Sequence, residues 1–388
     1  MNPRQPVVVG ARRTPFGIAG RSLAALGPAE LAAPVLAALA DDLKPVLADR
    51  PVDEVVLGNC RGPGGDVARV AALAAGLGPR VPGVSVDRQC GSGLEAVRLA
   101  AALVASGAAD VVLAGGTESA STAPGGPQHR ARFAPDGWPD PDMGPAADAV
   151  ARACGVSRER QDTYAARSHA LALAAREAGD FDAELVPVGT LTRDERPRPL
   201  GAATLARLRP AFGPGGTVTA GNACGINDGA AVVAVVSERV RAAAGLPGLR
   251  VLASAAVGAD PALPPLAAAP AVRAVLARAG LAGSGPADPA TAVLARVDRI
   301  ELTEAFAAQV LACTDELGLD PLGRDGHRVC PSGGAIALGH PWAASGAFLV
   351  VRLFAGLAGR AGRAGRIGLA ACAIGGGQGV AMVFEGVG

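Results

Sequence analysis

The sequence predicts an α/β protein with a largely buried sheet, two similar halves and one inserted segment. Short apolar runs alternate with Ala/Leu-rich stretches of helical length, which is the pattern of a sheet covered by helices. One strand–helix unit occurs twice, and a Pro/Gly-rich stretch interrupts the alternation between residues 119 and 222. The 388 residues, half of them hydrophobic, are enough for two or three domains.

The apolar runs are interpreted as strands because they are short and are separated by stretches of helical length. In chain order they cover residues 7–11, 52–58, 109–116, 229–237, 250–258, 299–302, 366–373 and 379–385. The Ala/Leu-rich stretches between them predict helices.

The repeated unit starts with a strand and continues through a Gly-rich turn into a helix. A strand beginning at Val52 precedes the turn at Cys90, and a strand beginning at Val297 precedes the turn at His340. A strand that ends in glycines closes each unit. Two copies would place Cys90 and His340 near equivalent helix starts, where a pseudo-twofold axis would bring them together.

The segment 119–222 is interpreted as a subdomain inserted into the first half. It begins with a Pro/Gly-rich run, continues as an amphipathic helical stretch and ends in the arginine-bearing run TRDERPRPLGAATLARLRPAF. Loops of this length are usually functional. The predicted domains are residues 1–247, which contain the insert, and residues 248–388.

Charge and hydropathy favour a small-molecule substrate. The formal net charge is +1 and no block of like charges occurs, so neither nucleic acid nor an anionic membrane surface is expected as a partner. The first apolar run is too short for a signal peptide, and no uncharged stretch reaches the ~20 residues of a membrane helix. A cytoplasmic location is expected.

The seven cysteines are an odd set scattered along the chain, which argues against a disulfide framework. No CxxC occurs and no histidine stands at ligand spacing from a cysteine, so no metal site is expected. The GGGQG run at 375–379 precedes a strand rather than a helix, so it does not predict a dinucleotide site. We expect no bound cofactor.

Two residues are candidates for nucleophilic chemistry. Cys90 opens a helix, where backbone N–H groups and the helix dipole favour the thiolate, although a small buried cysteine is the alternative. His340 is flanked by glycine and alanine, and an imidazole beside a thiol is the usual means of activating it. A histidine that simply caps a helix is the alternative there.

Five strings occur in a recognisable order: DRQCGSGLEAV, GNACGINDGAA, TEAFAAQ, GGAIALGHPWAASG and IGGGQGVAMV. With them the chain resembles the thiolase family of acyl-CoA C-acyltransferases over nearly its whole length. The resemblance implies two similar halves in a five-layered α-β-α-β-α fold with an inserted loop domain. It also implies a coenzyme A thioester as substrate and a homodimer or tetramer.

The resemblance also implies roles for individual residues. Cys90 matches the nucleophile that carries the acyl group as a thioester, and His340 matches the histidine that activates it. The backbone N–H groups of Cys90 and Gly375 match the oxyanion hole. Candidates for contacts to coenzyme A are Arg193, Arg196, Arg198, Arg207 and Cys224.

Three positions depart from the family pattern. Thr303 stands where an asparagine usually positions a water in a second oxyanion hole, and the shorter hydroxyl is not expected to reach it. Asp87 stands where asparagine is common, and Ala344 replaces a glycine.

The largest departure concerns the second cysteine of the family, the acid/base of carbon–carbon chemistry. Ala373 occupies its position, and Cys372 stands one residue early. A one-residue offset in a strand turns a side chain to the opposite face, so Cys372 is expected to point away from the site unless a bulge rotates it back.

The sequence-based hypothesis is therefore an acyltransferase that forms an acyl thioester on Cys90 and passes the acyl group to an oxygen, nitrogen or activated carbon acceptor. Condensation and thiolysis would be impaired by the missing acid/base. Two alternatives stay open: a conventional acetyl-CoA acetyltransferase or 3-ketoacyl-CoA thiolase, and a catalytically silent thiolase-like subunit.

Overall fold

The computed structural model describes residues 2–47, 50–281, 293–358 and 364–388, and its mixed sheet with helices confirms the predicted α/β class. The strands of this part are β1 (Pro6–Arg13), β2 (Gly17–Ile18), β3 (Glu54–Gly58), β4 (Gly83–Val86), β5 (Val111–Ser119), β6 (Asn227–Ser237), β7 (Gly248–Gly258), β8 (Arg299–Leu302), β9 (Ile367–Ile374) and β10 (Gln378–Val387).

Helices occupy most of the connections between these strands. They are α1 (Pro28–Leu47), α2 (Val67–Ala74), α3 (Ser92–Ser106), α4 (Met143–Ala153), α5 (Arg158–Glu177), α6 (Ala202–Ala206), α7 (Glu238–Ala244), α8 (Ala268–Arg278), α9 (Ala307–Glu316), α10 (Ala335–Leu338) and α11 (Trp342–Leu357). No helix among the described residues combines the length and the hydropathy needed to cross a bilayer.

The strands form one sheet in the order β4-β3-β5-β6-β1-β7-β10-β9-β8, and β2 pairs with β6. The pattern of strand pairing at one end of this order recurs, in reverse, at the other end. Strand β3 runs parallel to β5, which is antiparallel to β6; likewise β8 runs parallel to β9, which is antiparallel to β10. The halves meet where β1 pairs with β7 over two residues. The unit that occurs twice in the sequence therefore has the same strand pairing and strand directions in both halves.

Three buried clusters define five layers. Residues of α1 and α2 pack on one face of the first-half strands, and residues of α8 and α9 pack on one face of the second-half strands. The central cluster lies between them and joins α3 and α11 to the inner faces of both sets of strands. This is the α-β-α-β-α arrangement expected from the resemblance, with α3 and α11 in the middle layer.

The two central helices approach each other closely because glycines face them. A Cβ atom on Gly93 would lie 2.5 Å from the Ala343 carbonyl oxygen, and one on Gly346 would lie 2.6 Å from the Leu94 nitrogen. Helix α3 begins two residues after Cys90, and α11 begins two residues after His340. This packing brings the starts of the two helices side by side.

The inserted segment connects β5 to β6, which are neighbours in the sheet, and it packs on the second half of the chain. Val150 of α4 and Tyr164 of α5 lie in the same cluster as Val310 and Leu311 of α9. The insert thus belongs to the first half by sequence and covers the second half in space.

A buried ion network holds the end of the insert against the sheet. The Arg13 side chain is fully buried, and its guanidinium donates to Glu184 at 2.7 Å and to Asp194 at 2.6 Å. Glu184 also accepts from Arg352 of α11. The network joins β1, the insert and the central helix layer.

All eight predicted strands are present, with ends shifted by at most a few residues. Strands β2 and β4 were not among the predictions. Strand β4 follows Pro82 and starts at Gly83, two residue types that interrupt an apolar pattern, and its pairing partner β3 is almost thirty residues earlier. It lies at one edge of the sheet.

Candidate active site

Cys90 lies in a strained turn that leads into α3. Gln89, a residue before it, has φ 47°, which costs a non-glycine residue about 1–3 kcal/mol. The Asp87 carboxylate accepts a hydrogen bond from the Gln89 amide at 2.7 Å, and Ser92 donates to the Gln89 carbonyl at 2.7 Å. Asp87, one of the departures from the family pattern, therefore has a local role in holding the turn.

Burial raises the pKa of the Cys90 thiol above its ordinary value, and the neighbouring Cys224 and Cys372 add to this effect. The backbone N–H of Cys90 acts in the opposite direction. Burial outweighs the expected influence of the helix start because the sulfur has lost its hydration. The thiol rests in its neutral form and needs a base to become a nucleophile.

His340 has the properties of such a base. Its ring Nδ1 shares a 2.6 Å hydrogen bond with Ser345 Oγ, which leaves Nε2 as the ring nitrogen turned to other partners. Burial lowers the pKa of His340 to about 4, so the imidazole is neutral near pH 7 and can accept a proton. Its backbone N–H donates to the Gly225 carbonyl at 3.2 Å.

The glycine-rich turn after β9 lies against the Cys90 turn. A Cβ atom on Gly91 would lie 2.4 Å from Ile374, so these two residues are in direct contact. Gly375 follows immediately, and a Cβ there would lie 2.5 Å from the ring of Phe133. Gly375 is therefore one residue from this contact, Phe133 of the insert packs on it, and its role as an oxyanion donor stays a prediction.

Thr303 and Cys372 contact each other. The Thr303 hydroxyl, one residue after β8, lies 2.9 Å from Cys372 Sγ, one residue beyond the last pair of β8 with β9, Leu302 and Ala371. The hydroxyl is therefore engaged in the interior, and its assignment to a second oxyanion hole stays a prediction.

Residues along β9 alternate between two faces as predicted. Ala370, Cys372 and Ile374 pack in the central cluster. Ala371 and Ala373 pack on the opposite face, in the cluster that holds Ala223 and Phe306. The Cys372 side chain is fully buried, whereas Ala373 keeps a small accessible area. No bulge interrupts the pairing of β9 with β10, so Cys372 and Ala373 face in opposite directions.

A buried carboxylate that the sequence did not reveal acts on Cys90. Buried Glu118 accepts from the Cys60 amide at 3.1 Å, from the Cys60 thiol at 2.9 Å and from Asn59 at 3.0 Å. Burial raises the pKa of Glu118 to about 6, against these hydrogen bonds. These hydrogen bonds join the end of β5 to the loop after β3.

The candidate contacts for coenzyme A separate into two groups. Arg193, Arg198 and Arg207 are exposed, and none has a carboxylate partner in the described part of the chain. Arg196 is half-buried, and its guanidinium packs against the backbone of Gly225 beside Cys224. Cys224 is half-buried as well.

Ser345 is a residue of the candidate site that the sequence did not reveal. Ser345 lies five residues after His340, on the first turn of α11, and only the structure pairs its hydroxyl with the imidazole.

No cluster of His, Cys, Asp or Glu suited to a metal ion lies within the described ranges.

Comparison with known proteins gives consistent results over the whole chain. The family model "Thiolase, N-terminal domain" matches residues 6–239, and "Thiolase, C-terminal domain" matches residues 247–386. The acetyl-CoA acetyltransferase of Escherichia coli K12 is 41% identical over 411 residues, covering 98% of each chain. The acetyl-CoA acetyltransferase of Thiocystis violacea is 40% identical, with 98% of each chain covered. A crystal structure of the Bacillus anthracis acetyl-CoA acetyltransferase matches with TM-score 0.84, 36% identity and 99% of each chain.

Two buried histidines should make stability fall on acidification. Burial lowers the pKa of His340 to about 4, and burial together with Arg198 and Arg196 lowers that of His169 to about 4, from an ordinary 6.5. Between pH 6.5 and 4 the unfolded chain binds protons that the native chain does not. The free energy of unfolding should therefore decrease as pH falls through this window, by about 1.4 kcal/mol per pH unit for each histidine.

Urea unfolding at pH 7 and pH 5 checks this. His169→Gln should lose less stability on acidification than the wild type, while His327→Gln, at an exposed position, should follow the wild type. Equal losses for wild type and His169→Gln would show that His169 is not held neutral by burial.

Proposed function

The chain belongs to the thiolase family. We propose that it is an acyl-CoA C-acyltransferase that makes or cleaves carbon–carbon bonds through an acyl thioester on Cys90. The observation that carries the proposal is the meeting of two helix starts. One of these helices follows Cys90, and the other follows His340, whose neutral imidazole is held by Ser345.

The first half-reaction follows from these groups. His340 accepts the Cys90 proton, the sulfur attacks the thioester carbonyl, and the developing oxyanion receives hydrogen bonds from the N–H groups of Cys90 and Gly375. Expulsion of the coenzyme A thiolate, which takes up the proton, leaves the acyl group on Cys90. Water is kept out by Phe133, which packs on Gly375.

The insert is proposed to hold coenzyme A. Arg193, Arg198 and Arg207 are exposed cations without a carboxylate partner in the described ranges, so their positive charge is available to phosphate groups. Exposure of all three on one inserted segment supports this assignment.

Conventional carbon–carbon chemistry is proposed as the second half-reaction, in place of the specialised transfer that the sequence suggested. Relatives that align over 98% of both chains are named acetyl-CoA acetyltransferases, which favours condensation and thiolysis. Ala373 still lacks a titratable group, so the acid/base must come from another residue. A silent subunit is disfavoured because a nucleophile and a neutral base are both present.

A cytoplasmic location is proposed for this enzyme. Its cysteines in the described residues are all free thiols, including Cys60 and Cys154 on accessible parts of the chain. Such thiols are typical of a reducing compartment.

A homodimer is proposed through the edge strand β4. The strand ends the sheet and leaves backbone groups unpaired, and Val84 of β4 is 39% exposed near Val70 and Leu73 of α2, which are 54% and 47% exposed. A second copy can add its own β4 and cover this apolar surface. Light scattering should then give twice the chain's 38.1 kDa.

Val84→Arg should shift this mass toward the monomer because it places like charges across the twofold axis. Trp138→Arg, at a 63% exposed position in the insert, should leave the mass unchanged. A wild-type mass of 38.1 kDa at micromolar concentration would rule out the dimer.

Acetyl-CoA should acetylate Cys90, and the wild type should cleave acetoacetyl-CoA in the presence of coenzyme A. Intact mass should show one acetyl group that is absent from Cys90→Ala. His340→Ala should slow acetylation by about 10²–10⁴, the usual cost of a lost base, and His327→Ala should have little effect. Acetylation without any cleavage would instead favour the specialised acyl transfer, and absence of both would favour the silent subunit.

A further inference from the structure

We propose that Cys224 is the acid/base that moves the α-proton of the second acyl-CoA, and that Arg196 positions and tunes its thiol. This rests on the proposed function, since only carbon–carbon chemistry requires such a group. An enolate forms when a base removes a proton from the carbon next to the thioester carbonyl, and cleavage returns a proton to the same carbon.

Cys372 is poorly placed for this role. Its side chain is fully buried, its sulfur is paired with the Thr303 hydroxyl at 2.9 Å, and it faces the central helices. Ala373 faces the other side of the sheet, where Ala223 lies in the same cluster. The resemblance places the family's acid/base thiol at position 373, so a thiol that replaces it must reach the same part of the site, and Cys224 follows directly after Ala223.

The Cys224 backbone is fixed from two directions. Its N–H donates to the Ala305 carbonyl at 2.9 Å, and Ala223 forms an isolated bridge with Phe306. On the other side, Ile226 bridges to His340, whose N–H donates to the Gly225 carbonyl. Cys224 thus lies between the base of the first half-reaction and the segment that follows β8.

Cys224 is also accessible and close to the nucleophile. It is half-buried, unlike Cys372. Among the charged or titratable neighbours that affect Cys90, Cys224 has the largest effect, ahead of Cys372 and Glu118. A second acyl-CoA that approaches the acylated Cys90 will meet the Cys224 thiol.

Arg196 supplies a positive charge at Cys224. A Cβ atom on Gly225 would lie 2.0 Å from Arg196 Nη1, so the guanidinium lies directly on the backbone next to Cys224. Its Nε donates to the Ile336 carbonyl at 3.3 Å and its Nη2 to the Ala223 carbonyl at 3.5 Å. No carboxylate pairs with it in the described part of the chain.

The two acidic residues that precede Arg196 are occupied elsewhere. Asp194 accepts from Arg13 and from the Phe16 amide, and Glu195 accepts from the Ile18 amide and the Ser22 hydroxyl. Their carboxylates cannot neutralise Arg196. The guanidinium charge therefore acts on Cys224.

The charges that face Cys224 have opposing effects on it. Burial raises the pKa of Cys224 to about 12, and Arg196 opposes this rise. Glu304 acts in the same direction as burial, but its carboxylate accepts from Tyr164 and Ser168, and its effect is smaller. A negative charge on Cys90 would also raise the pKa of Cys224. Acylation of Cys90 removes this possibility because the thioester sulfur carries no charge.

Atoms and protons balance in the condensation. His340 accepts the proton of the neutral Cys224 thiol, and the resulting thiolate takes the α-proton and becomes a thiol again. The carbanion attacks the acyl carbonyl on Cys90, the bond from that carbon to sulfur breaks, and the Cys90 thiolate that leaves takes the proton from His340. Cleavage by coenzyme A runs through the same steps in reverse.

The test compares two reactions in matched variants. Acetylation of Cys90 is followed by intact mass, and cleavage of acetoacetyl-CoA by steady-state kinetics. Cys224→Ser should lower cleavage by about 10²–10⁴ and leave acetylation within about threefold of wild type. Cys372→Ser, whose hydroxyl can keep the contact to Thr303, should leave both within about threefold.

Variants of Arg196 test whether its charge opposes the rise in the pKa of the Cys224 thiol. Loss of its charge raises the pKa of Cys224, so the pH at which condensation speeds up should move upward in Arg196→Gln and much less in Arg196→Lys. Arg209→Gln, an exposed arginine of the same insert, should behave as wild type.

Three results would overturn the inference. Cleavage within about threefold of wild type in Cys224→Ser would exclude the thiol. A parallel loss of acetylation and cleavage would assign Cys224 to binding or folding, and a loss confined to Cys372→Ser would assign the role to Cys372. A wild type that neither acetylates nor cleaves would instead contradict the proposed function.

Discussion

The buried guanidinium of Arg13 fixes the part of the chain on which the site depends. Burial alone would lower the pKa of Arg13, but Asp194 and Glu184 more than offset it, so the charge is retained in the interior. Removing one partner of such a pair typically costs about 3–5 kcal/mol. Because Asp194 is committed there, Arg196 two residues later reaches the site without a carboxylate partner in the described residues.

The duplicated topology explains why the site lies where the halves meet. Each half supplies one central helix, and the glycines that face those helices allow close contact between their starts. Cys90 comes from one half and His340 from the other. The insert of the first half then reaches over the second, which places Phe133 and Arg196 at the same site.

The periodicity and repetition of the sequence made the architecture predictable. They could not predict which side chains pair across different elements. The apolar runs gave eight strands, and the duplicated unit placed Cys90 and His340 at equivalent helix starts. The contact of Thr303 with Cys372 depends on the register of β8 against β9, which no local pattern specifies. The helix start at Cys90 was visible in the sequence, but the burial that reverses the expected effect on its pKa was not.

Cys224 is proposed to supply the proton transfer that a thiol at position 373 would otherwise supply. Cleavage of acetoacetyl-CoA by Ala373→Cys, made alone and together with Cys224→Ser, distinguishes this from a missing acid/base. We expect little gain in the single variant and substantial recovery in the double variant, since Ala373 faces the side of Ala223. A gain approaching about 10² from Ala373→Cys alone would show that the wild type lacks a working acid/base and would exclude this role of Cys224.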